Sequence, residues 1–405
     1  MLIIGLVMLI SLKISNFFSF AQETQVSFEM GKKPSSSSFD IKLLSDRRLN
    51  KVVAIVGPNG SGKTQLIKSL AFLSWFVSDS FLGIEPGASM PFKAHALLAD
   101  QNTHFELVFR IGNDEFKYVL EANRNQVIHE SLYKKNAQYF SYLFVRDLIS
   151  DMKEGTYEYK QQGFPFKKNQ AKGIRGNASI ISAANSYDVT EARQFIEYFS
   201  RYSHNINVTG RQHFHNAALL NSAEFFYKSK NYLSKLESLL CEFDLGLNSL
   251  TINEIETKDS EGADATFYLP IGTHNAGELS FELPLFEESS GTQSAFVLMH
   301  RILPALEHGG VAVIDEIDND LHPHLLPCII DLFKFEHSNP NNAQLIFTCH
   351  TPEILNLLNK HQVYLVEKKN QLSESWRLDE VVGLRVDDNL YAKYMAGALS
   401  AVPNI

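Results

Sequence analysis

The sequence predicts an α/β fold whose buried strands come from two distant stretches of chain, separated by a helical middle segment. Three short texts carry that prediction: VVAIVGPNGSGKT at residues 52–64, VAVIDE at 311–316 and LIFTCH at 345–350. Each begins as an apolar run of the length of a strand covered on both faces. Each ends in residue types that phosphate chemistry uses: glycines with Lys-Thr, an acidic pair, and a histidine.

The first element is the apolar start MLIIGLVMLISL, twelve residues before Lys13. A membrane-spanning helix needs roughly 20 apolar residues. A secretory signal needs basic residues ahead of the apolar run, and none precede it here. From Met8 the text alternates with Ser11, Lys13 and Ser15, the period of a strand. Residues 1–7 read as an upstream addition to a chain that naturally opens at Met8. The expectation is a protein without a membrane segment, in a cytoplasmic setting.

The second element is the glycine loop. Gly57, Pro58, Asn59, Gly60, Ser61, Gly62, Lys63 and Thr64 spell the full G-x-x-x-x-G-K-[ST] pattern. The glycines let the backbone curl around an anion with its N–H groups inward. Lys63 supplies a point charge for the β/γ-phosphates of ATP, and Thr64 a hydroxyl for Mg²⁺. TQLIKSLAFLSWF follows with helical spacing, so a helix N-terminus also faces the phosphates.

HFELVFRIG and EFKYVLEA alternate around Gly112–Glu115, which reads as a β-hairpin that VIHESLY extends. Residues 8–144 thus form a first lobe. Residues 145–248 contain no motif strand and read as a helical insertion with loops. EARQFIEYFSRY and AEFFYKSKNYLSKLESLLCEF carry apolar residues at helical spacing, and GFPFKKNQAKGIRG is a basic loop. Residues 151–240 hold twelve Lys and Arg against eight Asp and Glu. That balance fits a partner-facing or nucleic-acid-facing surface, or the charge scatter of a solvated arm. Residues 249–405 form the second lobe, with strands near TINEIE and TFYLPI.

At the end of 311–316, Asp315 suits a magnesium contact and Glu316 a base or water-positioner. His350 at the end of its strand suits a γ-phosphate contact. Glu288-Ser-Ser-Gly-Thr-Gln293 stands before a helix-like run, where Ser290 and Gly291 would form an anion site or a plain N-cap.

Together these residues resemble the ABC-type ATPase heads of the SMC, RecF and OLD group, a P-loop NTPase fold of two β-lobes with a helical insertion. GPNGSGKT is similar to its Walker A, ESSGTQ to its signature, VAVIDEID to Walker B with the catalytic glutamate, and FTCH to the switch histidine. Asp318-Asn-Asp-Leu-His-Pro323 resembles the D-loop. Within the group the chain resembles bacterial AAA-family ATP-binding proteins of abortive-infection and anti-phage systems, the AbiL and RloA type. Arg175-Gly-Asn177 and the ending from Arg385 to Ile405 support that choice. The signature departs in having Ser-Gly-Thr for Ser-Gly-Gly, and Gln101 is only a weak match to a Q-loop.

The resemblance implies a homo-oligomer built from head-to-head dimers, with ATP and Mg²⁺ between heads. Lys63 and Thr64 would act in cis, Ser290 and Gly291 in trans, and Glu316 and His350 in catalysis. It implies an ATP-hydrolysing sensor or scaffold, with slow turnover, that controls a separate effector such as a nuclease or toxin. The trigger would be nucleic acid or a phage protein. The alternative is a RecF-like repair or recombination ATPase that binds DNA.

Composition sets outer bounds. The 405 residues are 44% apolar, enough for a large core, and the net charge of −9 excludes a uniformly basic surface. Three cysteines exclude a disulfide framework. His204, His213 and His215 read as surface histidines, and Asp387-Asp388 lacks the further carboxylates of a two-metal nuclease. There is no sustained heptad repeat.

Overall fold

The computed structural model describes residues 7–31, 36–43, 46–149, 156–207, 210–212, 216–243, 245–258, 262–385 and 387–402. The alternation after residue 7 is that of a strand: β1 (Val7–Ser15) pairs antiparallel with β2 (Thr24–Ser27). The hairpin β3 (Asp40–Lys42) and β4 (Arg48–Asn50) precedes β5 (Val52–Val56), whose five residues are all buried. The glycine loop then leads into α1 (Lys63–Gly83). A meander follows: β6 (Thr103–Ile111), β7 (Asp114–Ala122), β8 (Val127–Asn136), β9 (Tyr139–Leu148) and β10 (Tyr157–Gln161). It continues from β1 to give a seven-stranded antiparallel sheet, ordered β10-β9-β8-β7-β6-β1-β2. Every second residue of β6 is buried, so one face of this sheet packs inward.

Next come α2 (Lys168–Lys172), α3 (Ile180–Ser186), α4 (Thr190–Ser200), β11 (Tyr202–His204) and a small hairpin, β12 (Ile206–Asn207) with β13 (Gly210–Arg211). Helices α5 (Asn216–Lys228) and α6 (Lys230–Glu242) lead to a three-stranded meander, β14 (Ser249–Lys258), β15 (Asp264–Ala276) and β16 (Leu279–Pro284). The last third runs α7 (Ser290–His308), β17 (Val311–Ile314), α8 (Leu325–Lys334), β18 (Gln344–Cys349), β19 (Val363–Lys369), β20 (Leu372–Arg377) and α9 (Leu390–Met395).

The second main sheet is ordered β11-β17-β18-β5-β19-β20, parallel except for the final hairpin. β5 from the first lobe is thus threaded between β18 and β19 of the last. The three strands bearing the phosphate-type motifs become neighbours, with their C-terminal ends along one edge, where open α/β sheets bind ligands.

Alternation along β5 explains its continuous apolar text. Val53 and Ile55 face a core shared with α1 and the antiparallel sheet. Val52, Ala54 and Val56 face α7 and α8, against Phe296, Met299, Ile329 and Phe333. α1 fills the space between the two sheets, where Leu66, Leu70, Leu73 and Phe76 are buried. It is the one described helix long and apolar enough to cross a membrane, and 67% of its apolar window is buried inside the protein.

The middle segment differs from the helical insertion expected over 145–248. Residues 145–148 complete β9, β10 follows, and β11 joins the edge of the second sheet beside β17. Three residues are too few to show a strand period. Phe164 and Phe166, expected in a basic loop, are buried in the α1 core. The text with helical spacing over 223–243 is helical on both sides of Ser229, where α5 ends and α6 begins.

Arg175 and Asn177 explain the Arg-Gly-Asn text. Arg175 Nη2 lies 3.1, 2.6 and 2.7 Å from the carbonyls of Ser80, Phe81 and Ile84, and Asn177 Nδ2 donates to those of Glu85 and Ala88. They close the C-terminus of α1, where carbonyls lack helical partners and a cation is favoured.

Candidate active site

The phosphate loop is shaped by its neighbours as well as by its glycines. Gly60 and Gly62 have φ of +75° and +113°. A Cβ on Gly57 would lie 2.1 Å from the Val366 carbonyl oxygen, and one on Gly62 2.7 Å from Ser373 Oγ and 2.8 Å from Ser19 Oγ. Ser373 Oγ also donates to the Ser61 carbonyl at 2.6 Å, so β20 braces the loop from outside. The Ser61 hydroxyl is buried without a hydrogen-bond partner. An orphaned hydroxyl inside the loop fits a phosphate oxygen. α1 starts at Lys63 with Gly62 as its N-cap and no side-chain cap on its first N–H groups, as an anion site requires.

Lys63 is buried, and its Nζ donates to the carbonyls of Gly57 at 2.7 Å and Pro58 at 3.1 Å. It also lies 3.4 Å from His350 Nδ1. Burial lowers its pKa, against the pull of Asp315, Glu316 and Asp318. The residues on either side of the loop therefore already share one small space.

β17 delivers Asp315, which is 1% exposed. Its carboxylate accepts from Thr64 Oγ1 at 2.8 and 3.0 Å and from Thr348 Oγ1 at 2.6 Å. Burial raises its pKa, while those hydroxyl bonds hold it down. A buried carboxylate beside a hydroxyl, with no ion pair among the described residues, is a hard-oxygen donor set that fits Mg²⁺.

Glu316 sits at φ 47°, a left-handed conformation unusual outside glycine. Its N–H donates to Thr348 Oγ1 at 2.7 Å. Its carboxylate meets Arg211 Nη1 at 2.7 Å through Oε2 and His350 Nε2 at 3.3 Å through Oε1. Burial pushes the carboxyl's pKa up, but the hydrogen bonds and charge of His350 and Arg211 hold it below the ordinary value. Asp318 accepts from the N–H groups of His350 at 2.9 Å and Thr351 at 2.8 Å, so the D-loop text secures the end of β18.

Lys63, Thr64, Asp315, Glu316 and His350 thus converge, as their motifs imply. Ser290 and Gly291 do not join them: they open α7, capped by Ser289, whose Oγ accepts from Thr292 N at 3.2 Å. A Cβ on Gly291 would lie 3.1 Å from the Asp320 carbonyl oxygen, so signature and D-loop meet within one chain. No hydrogen bond or ion pair links either residue to the phosphate loop among the described residues. Gln101 is exposed, and its carbonyl accepts from Asn16 Nδ2 at 2.9 Å. His204 lies half-buried on β11, and His213 and His215 lie outside the described residues.

Three site residues were not singled out: Asn205 and Arg211 lie in no motif, and Thr348 lies inside FTCH. Thr348 serves both Asp315 and Glu316. Asn205 exchanges two hydrogen bonds with the Asp315 main chain, at 2.7 and 2.9 Å. Arg211 pairs with Glu316 across 105 positions of sequence. The position of Thr348 two residues before His350 is the one cue that could have found it.

A strand–glycine loop–helix joined to a strand end with buried Asp315 and half-buried Glu316 is the nucleotide site of a P-loop ATPase, and the family comparison agrees. Residues 52–356 match the family model described as "AAA domain, putative AbiEii toxin, Type IV TA system". The chain belongs to this AAA domain family. It is an ATP-binding ATPase of that type. Among solved structures it is similar to an SMC head bound to the C-terminal winged-helix domain of ScpA, at 13% identity and a TM-score of 0.50. That match covers 92% of this chain and 99% of the other. SMC heads from Thermotoga maritima (14% identity, TM-score 0.40, 91% and 98% covered) and Pyrococcus furiosus (12%, 0.45, 92% and 97%) also match. The likeness is one of fold. No curated protein matches the sequence.

Proposed function

We propose that this AAA-family protein hydrolyses ATP between two copies of its head and uses that cycle as a switch on a separate effector in bacterial anti-phage defence, in the cytoplasm. The convergence of Lys63, Thr64, Asp315, Glu316 and His350 supports hydrolysis. The placing of Ser290 and Gly291 at a helix N-terminus beside the D-loop, with no hydrogen bond to their own phosphate loop among the described residues, supports a site completed by a second copy. That arrangement is the single observation that carries the dimeric reading. The family description, which names a putative toxin and a type IV toxin–antitoxin system, supports a place in a system of that kind; the separate nuclease or toxin rests on the resemblance to anti-phage ATPases.

In this reading the loop N–H groups, the start of α1 and Lys63 bind the phosphates. Thr64 and Asp315 would hold Mg²⁺, which supplies charge neutralisation at the phosphates. Glu316 orients and deprotonates the attacking water, and His350 lies beside Lys63 to contact the γ-phosphate. Loss of the γ-phosphate frees the two heads, an order–disorder or docking switch of a known kind.

The test is turnover and mass in saturating Mg-ATP. Glu316→Gln should bind ATP, lose turnover by at least about a hundredfold and accumulate as a dimer. A variant with wild-type turnover, or a wild type that stays monomeric while hydrolysing, refutes the respective half. Co-purification of a nuclease or toxin with Glu316→Gln, and not with ADP-bound wild type, tests the effector.

A further inference from the structure

We infer that Arg211 is a positioning residue for ATP hydrolysis, anchoring one oxygen of Glu316 so that the other faces His350 and Lys63. It acts in this way only if the chain hydrolyses ATP as proposed above.

A chain of contacts links Arg211 to the phosphate loop. Arg211 Nη1 holds Glu316 Oε2 at 2.7 Å, Glu316 Oε1 lies 3.3 Å from His350 Nε2, and His350 Nδ1 lies 3.4 Å from Lys63 Nζ. The oxygen Arg211 leaves free is therefore the one that faces His350, whose other ring nitrogen faces Lys63. The longer His350 contact is the weaker of the two and the easier to open to a water.

The support of Arg211 is as firm as its contact. Its side chain is 11% exposed, against 31% for Glu316. β13 pairs Arg211 with Ile206, and Gln212 N donates to the Asn205 carbonyl at 2.7 Å. Asn205 at the hairpin's stem is bonded twice to the main chain of Asp315. The element that carries Arg211 is thus stapled to the strand end that carries Glu316, and the two groups keep their spacing if that end shifts. Thr348 pins the Glu316 N–H, which leaves the side-chain torsions as its freedom. A fixed Oε2 removes most of that freedom. Such pre-set orientation is worth on the order of 10²-fold in rate.

The test uses the full chain with Arg211→Met, Arg211→Gln and Arg211→Lys. Steady-state turnover and ATP binding are measured, with Glu316→Gln and its double with Arg211→Met alongside. Arg211→Met and Arg211→Gln should lower kcat about 10- to 100-fold, with KM and Kd for ATP within about twofold of wild type. Arg211→Lys should recover part of kcat, since it restores the charge without the planar fork. The double variant should be no slower than Glu316→Gln alone. An unchanged kcat in both uncharged variants, or a rise in KM that matches the fall in kcat, overturns the inference and leaves the ATPase reading intact. A wild type without turnover removes that reading first, and the role of Arg211 with it. The two uncharged variants are carried together so that misfolding of one does not decide the result.

Discussion

Thr348→Val should cost about 2–4 kcal/mol of stability in the absence of nucleotide. The hydroxyl is fully buried, donates to Asp315 Oδ1 at 2.6 Å and accepts from Glu316 N at 2.7 Å. A hydrogen bond to a charged group contributes about 1.5–3 kcal/mol and a neutral one about 0.5–1.5. Valine keeps the branched shape, so little packing is lost and both former partners stay buried and under-bonded. The assay is urea unfolding at pH 7 without nucleotide, with Mg-dependent ATP binding measured in parallel. Binding should weaken as well, because Asp315 loses the donor that orients it toward Thr64. A stability loss under about 0.5 kcal/mol would refute the reasoning, since it would mean that neither bond differs from one made to water.

Gly57→Ala and Gly60→Ala separate two reasons for glycine in one loop. A Cβ at Gly57 meets the Val366 carbonyl at 2.1 Å, whereas one at Gly60 meets nothing within 4 Å and suffers only its φ of +75°. Gly60→Ala should cost about 1 kcal/mol and Gly57→Ala several times that in urea unfolding; equal costs would contradict the packing of β19 on the loop. His300 should make stability pH-dependent. Burial, then the charge of Arg301, lowers its pKa to about 4. The folded state therefore keeps it neutral, and the unfolded chain takes up a proton as pH falls through about 6.5. Stability should fall from pH 6.5 toward 4 by about 1–3 kcal/mol, and His300→Phe, which preserves the stack on Phe225 (4.3 Å), should lose that component. Identical pH profiles would refute it.

Segments whose meaning is local were readable without coordinates. VVAIVGPNGSGKT needs only its own apolar run and glycines to declare strand, loop and helix. VAVIDE and LIFTCH follow the same rule, and the structure seats them as neighbouring strands. Asn205 and Arg211 were invisible because their roles exist only across the fold, at separations of 110 and 105 positions, and Thr348, inside LIFTCH, showed only its place beside His350 and not its partner 33 positions away. An Asn, an Arg and a Thr are ordinary residues in a text with many of each. β11 was missed for a different reason: its three residues are held by pairing with β17, not by any pattern of their own. The break at Ser229 was hidden by apolar spacing that runs through it on both sides.

The threading of β5 between β18 and β19 has a consequence for how the molecule is made. Val52–Val56 is made well before its partners, for both strands it pairs with lie about 300 residues later. At ordinary synthesis rates that interval lasts roughly 15 to 60 s. Throughout it, a fully apolar strand has no partner on either side, the condition in which nascent chains turn to chaperones or to each other. Closure of so long a loop also makes folding slow relative to local structure. A chain that stops short of residue 344 lacks both strands that hold β5 in place. The phosphate loop that β5 carries therefore reaches its folded setting only after β18 and β19 have been made.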